Sequence, residues 1–142
     1  MDLLIAALSA WIVAKTGLPM VEPAKIELAA PARMSEVAFG PGVAPSPLLR
    51  ALYSQPAGTV YLRKNWDASK LRDQSELLHE LVHRFQFVHN LRYDCAAERE
   101  KLAYELQVDW LREQGVADPY ELLEINAFWV VMASVCRDAD HD

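Results

Sequence analysis

Residues 79–83 carry two histidines and a glutamate at a spacing that allows metal-dependent chemistry. His79 and His83 are four positions apart, and Glu80 directly follows the first of them. On a helix, side chains four residues apart project from nearly the same face, so both imidazoles can reach one ion. Glu80 points to the side, where a carboxylate can take a proton from a water molecule without occupying a coordination position. The pattern predicts a bound zinc ion with Glu80 as general base.

A third protein ligand has to come from elsewhere in the chain. Catalytic zinc generally takes three protein ligands and leaves a fourth position for water. A helix predicted over residues 96–114 offers Glu98, Glu100 and Glu105. Glu100 borders the apolar side of this helix, whereas the other two point towards solvent. Glu100 is therefore the preferred ligand, and Glu98 stays open as the alternative because helix ends read from a sequence are uncertain.

Further polar residues share helical stripes with these candidates. Tyr104 and Gln107 follow Glu100 at spacings of four and seven, and Gln86 continues the stripe of the two histidines. Tyr104 is either a hydrogen-bond donor to the oxyanion that forms when water attacks a carbonyl or a packing residue. The two glutamines are either hydrogen-bond partners of the site or exposed helix residues. Three more side chains are either alternative donors or bystanders, and the sequence does not rank them: His89, Tyr93 and His141.

These residues resemble a known group, the gluzincin-type zinc metallopeptidases. In that group one helix carries two histidine ligands and the catalytic glutamate, and a later helix supplies a glutamate ligand. Residues 100–103 read Glu-Lys-Leu-Ala, which matches the Glu-x-x-Ala pattern of that later helix in several families. Residues 75–86 together with 103–107 also resemble a small, poorly characterised set of bacterial and phage zincin-like proteins. The resemblance covers about residues 59–115.

The resemblance implies roles for individual residues. His79, His83 and Glu100 would be the zinc ligands, and Glu80 would be the general base. Tyr104 departs from the peptidases that have aspartate directly after the alanine of the later helix. The surroundings of the ligands therefore differ from the pattern of those peptidases.

Periodicity and turn residues predict the elements that must position this site. The expected elements are an N-terminal helix within residues 3–14, a strand over 25–29, a loop over 40–47, a hairpin of 51–54 with 59–62, helices over 69–89 and 96–114, and a third helix from Asp118-Pro119. They predict an α+β fold: a minimal zincin-like domain with an N-terminal helix, a small mixed or antiparallel sheet and a C-terminal bundle of active-site and supporting helices.

Two expectations concern the surroundings of the site. The apolar run at residues 127–132 is expected in the core. The aromatic residues Trp110, Phe128 and Trp129 are expected there too, with a platform for substrate as the less favoured alternative. The strand over residues 59–62 is expected to form the edge of the cleft. An extended peptide could pair with such an edge through its backbone.

Composition limits the class of protein. The chain has 142 residues, of which 52% are hydrophobic, and this predicts one domain over residues 1–142. A net charge of −6 without a run of Lys or Arg argues against a nucleic-acid partner. The sequence carries no signal for an oligomeric state.

The ends of the chain bear on its location. The apolar segment at residues 3–14 follows Asp2 and is too short to span a bilayer, so it predicts a buried helix rather than an export signal or a membrane partner. A cytoplasmic location is expected, with export left open. Cys95 and Cys136 are either a disulfide or two buried thiols, because one pair is compatible with both.

Together these observations predict a zinc-dependent metallopeptidase that acts on a peptide or protein substrate. Two alternatives stay open. One is a binding or regulatory module that has a zinc site and no general proteolysis. The other is a zinc amidase that acts on a non-peptide substrate.

Overall fold

The computed structural model describes residues 1–137 and consists of six helices and three strands within that range. In chain order the elements are α1 (Asp2–Thr16), β1 (Lys25–Ala29), α2 (Pro31–Phe39), β2 (Ala51–Ser54), β3 (Thr59–Arg63), α3 (Leu71–Val88), α4 (Ala96–Glu113), α5 (Pro119–Leu123) and α6 (Ala127–Ala133). Helices and a small sheet confirm the predicted α+β class. No helix within residues 1–137 combines the length and the apolar character needed to cross a bilayer.

The three strands form one mixed sheet in the order β1-β3-β2. β3 pairs with β1 in parallel and with β2 in antiparallel orientation, so the predicted hairpin is confirmed. The expectation that residues 59–62 form the cleft edge is wrong, because β3 is the central strand and both of its sides are already hydrogen-bonded. Its side chains are correspondingly buried at Thr59, Val60, Tyr61 and Leu62. β2 is an edge strand instead, and its first residue, Ala51, lines the cleft that is described below.

The main core lies between the sheet and three helices. The predicted apolar face of α3 is confirmed, since all five of its members are buried: Leu77, Leu78, Leu81, Val82 and Phe85. They pack with Ile5, Leu8 and Ile12 of α1, and with Trp110 of α4, whose predicted core position is also confirmed. This packing fixes α3 and α4 side by side, and the candidate site lies between them.

Helix α2 is absent from the sequence-based expectation. It starts at Pro31, where the missing amide hydrogen is tolerated and the fixed φ suits the first helical turn. Met34 is fully buried and packs with Ala29 and Tyr61 in a second, smaller core. The helix thus follows β1 in the chain and packs against the sheet.

The C-terminal region differs from the predicted single helix. Glu124 adopts a left-handed backbone conformation, with φ of 58°, which ends α5 and turns the chain before α6. The apolar run of α6 is not core: Phe128 is 74% exposed and Trp129 is 46% exposed, and Val131 and Met132 are exposed as well. Helix α6 contacts α4 along one side, so most of its apolar residues face outward.

A disulfide joins Cys95, just before α4, to Cys136, just after α6. Of the two states left open by the sequence, the structure therefore has the disulfide. The bond closes a loop with a sequence separation of 41 residues and ties the C-terminal helix to the start of the helix that carries Glu100.

Replacing both cysteines with serine is expected to lower the free energy of unfolding by about 4 kcal/mol, because the unfolded chain regains the freedom of the open loop. Urea unfolding of the variant and of the oxidised wild type measures the difference. Reduced wild-type protein is the matched control and should unfold at the variant's midpoint. Equal midpoints for the variant and the oxidised wild type would contradict a stabilising bond.

Candidate metal centre and cleft

Helices α3 and α4 bring together the histidines and the glutamate singled out from the sequence. Glu100 places Oε2 2.9 Å from Nε2 of His79 and Oε1 2.9 Å from Nε2 of His83. The potential ligand atoms of His79, Glu80 and His83 also lie within 4.8 Å of one another. Both histidines and Glu80 are buried. The two imidazoles therefore lie close to two carboxylates, those of Glu80 and Glu100.

The other two glutamates of α4 lie elsewhere. Glu98 accepts a hydrogen bond from the backbone N–H of Asp94 at 2.8 Å, in the first turn of the helix. Glu105 is exposed. The structure thus brings Glu100, rather than the alternative Glu98, to the two imidazoles.

Gln107 orients the first imidazole. Its Oε1 lies 2.8 Å from Nδ1 of His79 and accepts the proton on that nitrogen. Its own amide donates to Oγ of Ser75 at 3.1 Å, which fixes the orientation of the glutamine. Gln107 is only 3% exposed, so the interpretation as an exposed helix residue is wrong. Because Nδ1 bonds to the glutamine, Nε2 is the nitrogen of His79 that faces Glu100 and that could bind a metal ion.

Gln86 does the same for the second imidazole. Its Oε1 lies 2.8 Å from Nδ1 of His83, and its amide donates to the hydroxyl of Tyr93 and to the backbone carbonyl of Arg99. Gln86 is 1% exposed, so it too is a hydrogen-bond partner of the site. Among the alternative donors, Tyr93 thus supports Gln86, His89 bonds the carbonyl of Pro19 away from the site, and His141 lies outside the described residues.

The charges of His83 and Glu100 stabilise each other, and His79 contributes to the pKa of Glu100. Burial alone would lower the pKa of His83, but its hydrogen bond to Glu100 and the charges of Glu80 and Glu100 outweigh burial and raise it to about 9. Burial alone would raise the pKa of Glu100, but hydrogen bonds from His79 and His83 hold it well below its usual range. Since Nδ1 of each imidazole donates to a glutamine oxygen, the contact of Nε2 with Glu100 requires either a second hydrogen on the ring or a metal ion between the two groups.

The donor set fits zinc. Two imidazole nitrogens and a carboxylate oxygen form one of the ligand sets of catalytic zinc sites, and a partner on the far nitrogen of each imidazole is usual in such sites. Both features are present here: Nε2 of each histidine faces Glu100, and Nδ1 of each is held by a glutamine. The residues present therefore fit the ion expected from the sequence.

The ion pair predicts how stability depends on pH in the metal-free protein. The pKa of His83 rises from 6.5 to about 9 on folding. A raised pKa stabilises the fold fully below pH 6.5, and this stabilisation is lost as the pH rises through 9. We expect the free energy of unfolding of the chelator-treated protein to fall by at most about 3 kcal/mol across this range.

Urea unfolding between pH 6.5 and 9 tests this dependence. His83→Gln is the matched variant and should lack the slope, since it cannot be protonated. Zinc-saturated wild type should show the opposite trend, because a metal competes with the proton on His83 and binds more tightly as the pH rises. A flat profile for the metal-free wild type would show that His83 carries no stabilising proton.

Tyr104 lies against the first candidate ligand. Its ring centroid is 4.6 Å from that of His79 and 5.7 Å from that of Trp129. Burial, followed by the charges of Glu100 and Glu80, raises the pKa of Tyr104 well above its usual range. The phenol is therefore protonated at neutral pH, and as part of the cleft wall it is available as a hydrogen-bond donor.

A cleft of about 580 Å³ leads to this cluster. His79, Glu80 and Tyr104 are among its lining residues. Two further segments contribute to its wall. The residues before and at the start of β2 are Pro47, Leu48, Arg50 and Ala51, and those from the end of α5 to α6 are Leu123, Glu124, Ile125, Asn126 and Trp129. The sequence does not predict that either segment lines the cleft, because it predicts a loop for part of the first segment and core for part of the second. Asp118 caps the start of α5 and Asn126 caps the start of α6. A second capping residue eight positions after the first is the signal that could have separated the two helices.

Replacing Gln107 with leucine is expected to weaken zinc binding about tenfold to a hundredfold, because the imidazole of His79 loses the acceptor that fixes its orientation. Competition with a chromophoric chelator measures the affinity. Gln114→Leu, an exposed position just after α4, is the matched control and should bind zinc as the wild type does. Equal affinities for Gln107→Leu and the wild type would mean that the hydrogen bond at Nδ1 of His79 has no effect on zinc binding.

Comparison with known families supplies a membership but no activity. The chain belongs to a family described as a domain of unknown function, DUF6647, whose profile matches residues 1–142. No curated protein and no solved structure matches the chain.

Proposed function

We propose that this chain is a zinc-dependent metallopeptidase that hydrolyses peptide bonds, with His79, His83 and Glu100 as ligands. The observation that carries the proposal is the approach of both Nε2 atoms to the carboxylate of Glu100 at 2.9 Å. The same three residues are the ligands implied by the resemblance to gluzincin-type peptidases. Glu80 lies beside them without forming either of these two contacts.

The open cleft favours catalysis over a purely structural metal. A structural zinc site is usually closed by four protein ligands, whereas a catalytic site keeps one position open. Here His79 and Glu80 line a cleft that reaches the surface. This accessibility favours the peptidase over a module that keeps zinc only to stabilise its fold.

The chain's own residues divide the work of hydrolysis. Zinc, when bound, polarises the scissile carbonyl and lowers the pKa of the attacking water. Glu80 accepts the proton of that water and passes it to the nitrogen of the leaving amine. Tyr104, protonated at neutral pH, donates a hydrogen bond to the carbonyl oxygen as negative charge develops there. Gln86 and Gln107 hold the imidazoles with Nε2 directed at the metal.

An extended substrate would use the edge of the sheet that the structure has beside the cleft. β2 is an edge strand, and Ala51 at its start lines the cleft. A peptide backbone can add to such an edge by main-chain hydrogen bonds. The edge that binds the substrate is then β2, and not residues 59–62 as the sequence suggested.

The disulfide bears on where this activity would operate. Disulfides form and persist in oxidising compartments and are rare in the cytosol. The bond between Cys95 and Cys136 therefore favours an oxidising compartment over the cytoplasmic location expected from the sequence.

Zinc-loaded protein incubated with denatured casein and with a mixed peptide library tests the proposal. We expect cleavage that stops when a chelator is added and returns when zinc is restored. Mass spectrometry of the products shows whether peptide bonds are the bonds broken. Intact substrates in the presence of one bound zinc per chain would overturn the peptidase and favour the binding module or the amidase.

A further inference from the structure

We propose that Trp129 of α6 forms an apolar subsite of the cleft, so that the site prefers substrates with a bulky apolar side chain beside the scissile bond. The inference rests on the proposed metal site, and it adds the class of substrate. It concerns binding, which can be measured whether or not the bound molecule is hydrolysed.

Trp129 is one aromatic ring away from the candidate metal centre. Its ring packs edge-on against Tyr104 with centroids 5.7 Å apart, and Tyr104 packs in the same way against His79 at 4.6 Å. Trp129 is also part of the cleft wall. A substrate side chain in this part of the cleft would therefore lie close to Tyr104 and Trp129.

The exposed ring has apolar surface left to bury. Trp129 is 46% exposed although it packs against Tyr104. Burial of exposed aromatic surface against an apolar side chain is favourable, whereas a glycine at the same place would leave the ring in water. The ring therefore distinguishes substrates by the apolar area that they bring to it.

Other residues that line the cleft are apolar as well. Leu48 is 89% exposed and lines the cleft together with Pro47, on the side that leads to β2. Leu123 and Ile125, which precede Trp129 in the chain, line the cleft as well. An apolar substrate side chain would thus find apolar surface from both segments in addition to Trp129.

Helix α6 holds Trp129 in a defined place. The backbone N–H of Trp129 donates to Oδ1 of Asn126 at 2.6 Å, which caps the helix at its first turn. The disulfide at Cys136 attaches the other end of the helix to the start of α4. A wall anchored at both ends can select among side chains, because it does not have to be ordered when the ligand binds.

Phe128 provides a matched control on the same helix. It is the neighbouring aromatic residue and is 74% exposed, and it is not part of the cleft wall. A general effect of apolar surface on α6 would involve Phe128 as much as Trp129. A subsite would involve Trp129 alone.

Hydroxamates that bind zinc test the subsite without hydrolysis. Isothermal titration of the zinc-loaded wild type is expected to show N-acetyl-leucine hydroxamate binding about tenfold more tightly than N-acetyl-glycine hydroxamate. Trp129→Ala should reduce this ratio to about one, Trp129→Phe should restore most of it, and Phe128→Ala should keep it. Zinc content, measured for each variant, establishes that the metal site is intact.

The outcomes separate the two proposals. A ratio in zinc-loaded Trp129→Ala as large as in the wild type would overturn the subsite and leave the metal site standing. Zinc-loaded wild type that binds neither hydroxamate would have no open coordination position, which would overturn the proposed function and the subsite with it. Loss of the ratio in Phe128→Ala as well would show a general effect of α6 and would also overturn the assignment to Trp129.

Discussion

Glu80→Gln is expected to retain one zinc per chain and to hydrolyse peptides about a thousandfold more slowly than the wild type. Glutamine has the size and shape of glutamate, so the packing of this buried position in α3 is preserved. It cannot accept the proton of the attacking water, so the proposed reaction loses its general base. The two contacts of Glu100 to His79 and His83 do not involve this side chain.

Parallel measurements of zinc content and of the initial rate on one cleaved library peptide decide the role of Glu80. Glu105→Gln, an exposed position on α4, is the matched control and should keep the wild-type rate. A rate within a few-fold of the wild type would place the general base elsewhere. Loss of zinc from Glu80→Gln would instead show that Glu80 is a ligand. The experiment has to distinguish the two roles, because Glu80 lies within 4.8 Å of the ligand atoms of both histidines.

The approach of the three candidate ligands to one another follows from helical geometry. A spacing of four residues places His79 and His83 on one face of any helix, and the wheel of the second helix placed Glu100 at the border of its apolar side. Once apolar faces pack, residues at their borders lie opposite one another. The distances of 2.9 Å from Glu100 to both histidines agree with that reasoning.

The roles of the two glutamines required the packed structure. Gln86 and Gln107 were placed on the correct stripes, yet an exposed helix glutamine and a buried one look alike in a sequence. Each is buried here because its carbonyl and its amide both have partners. Such satisfaction depends on residues from other segments, and it cannot be read from one helix alone.

The walls of the cleft were harder to predict, because an apolar pattern does not state which side of an element is covered. The run at residues 127–132 has the composition of core, but α6 contacts α4 on one side and leaves Phe128 in solvent. Residues 59–62 were recognised as a strand, but its central place depends on β1, which precedes it by about thirty residues in the chain and pairs with it in parallel. Non-local pairing of this kind leaves no local signal.

Glu100→Ala is expected to weaken zinc binding by more than about a hundredfold, since even residues that only orient a ligand contribute tenfold to a hundredfold. The variant removes the only one of the three proposed ligands that is negatively charged, leaving two imidazoles. Competition with a chromophoric chelator measures the affinity. Glu98→Ala is the matched control, because Glu98 lies on the same helix and bonds the backbone of Asp94 instead of the histidines.

A second readout of Glu100→Ala does not involve metal. Glu100 is the hydrogen-bond partner that helps to raise the pKa of His83 to about 9, so its removal should lower that pKa. NMR titration of His83 in chelator-treated Glu100→Ala and Glu98→Ala measures the change, and only the first variant should show it. A lowered pKa with unchanged zinc affinity would retain the ion pair between α3 and α4 and exclude Glu100 as a ligand. A lowered pKa of His83 together with weakened zinc binding would support two roles for the carboxylate of Glu100. It would stabilise the protonated form of His83 in the metal-free protein and bind zinc in the metal-loaded protein.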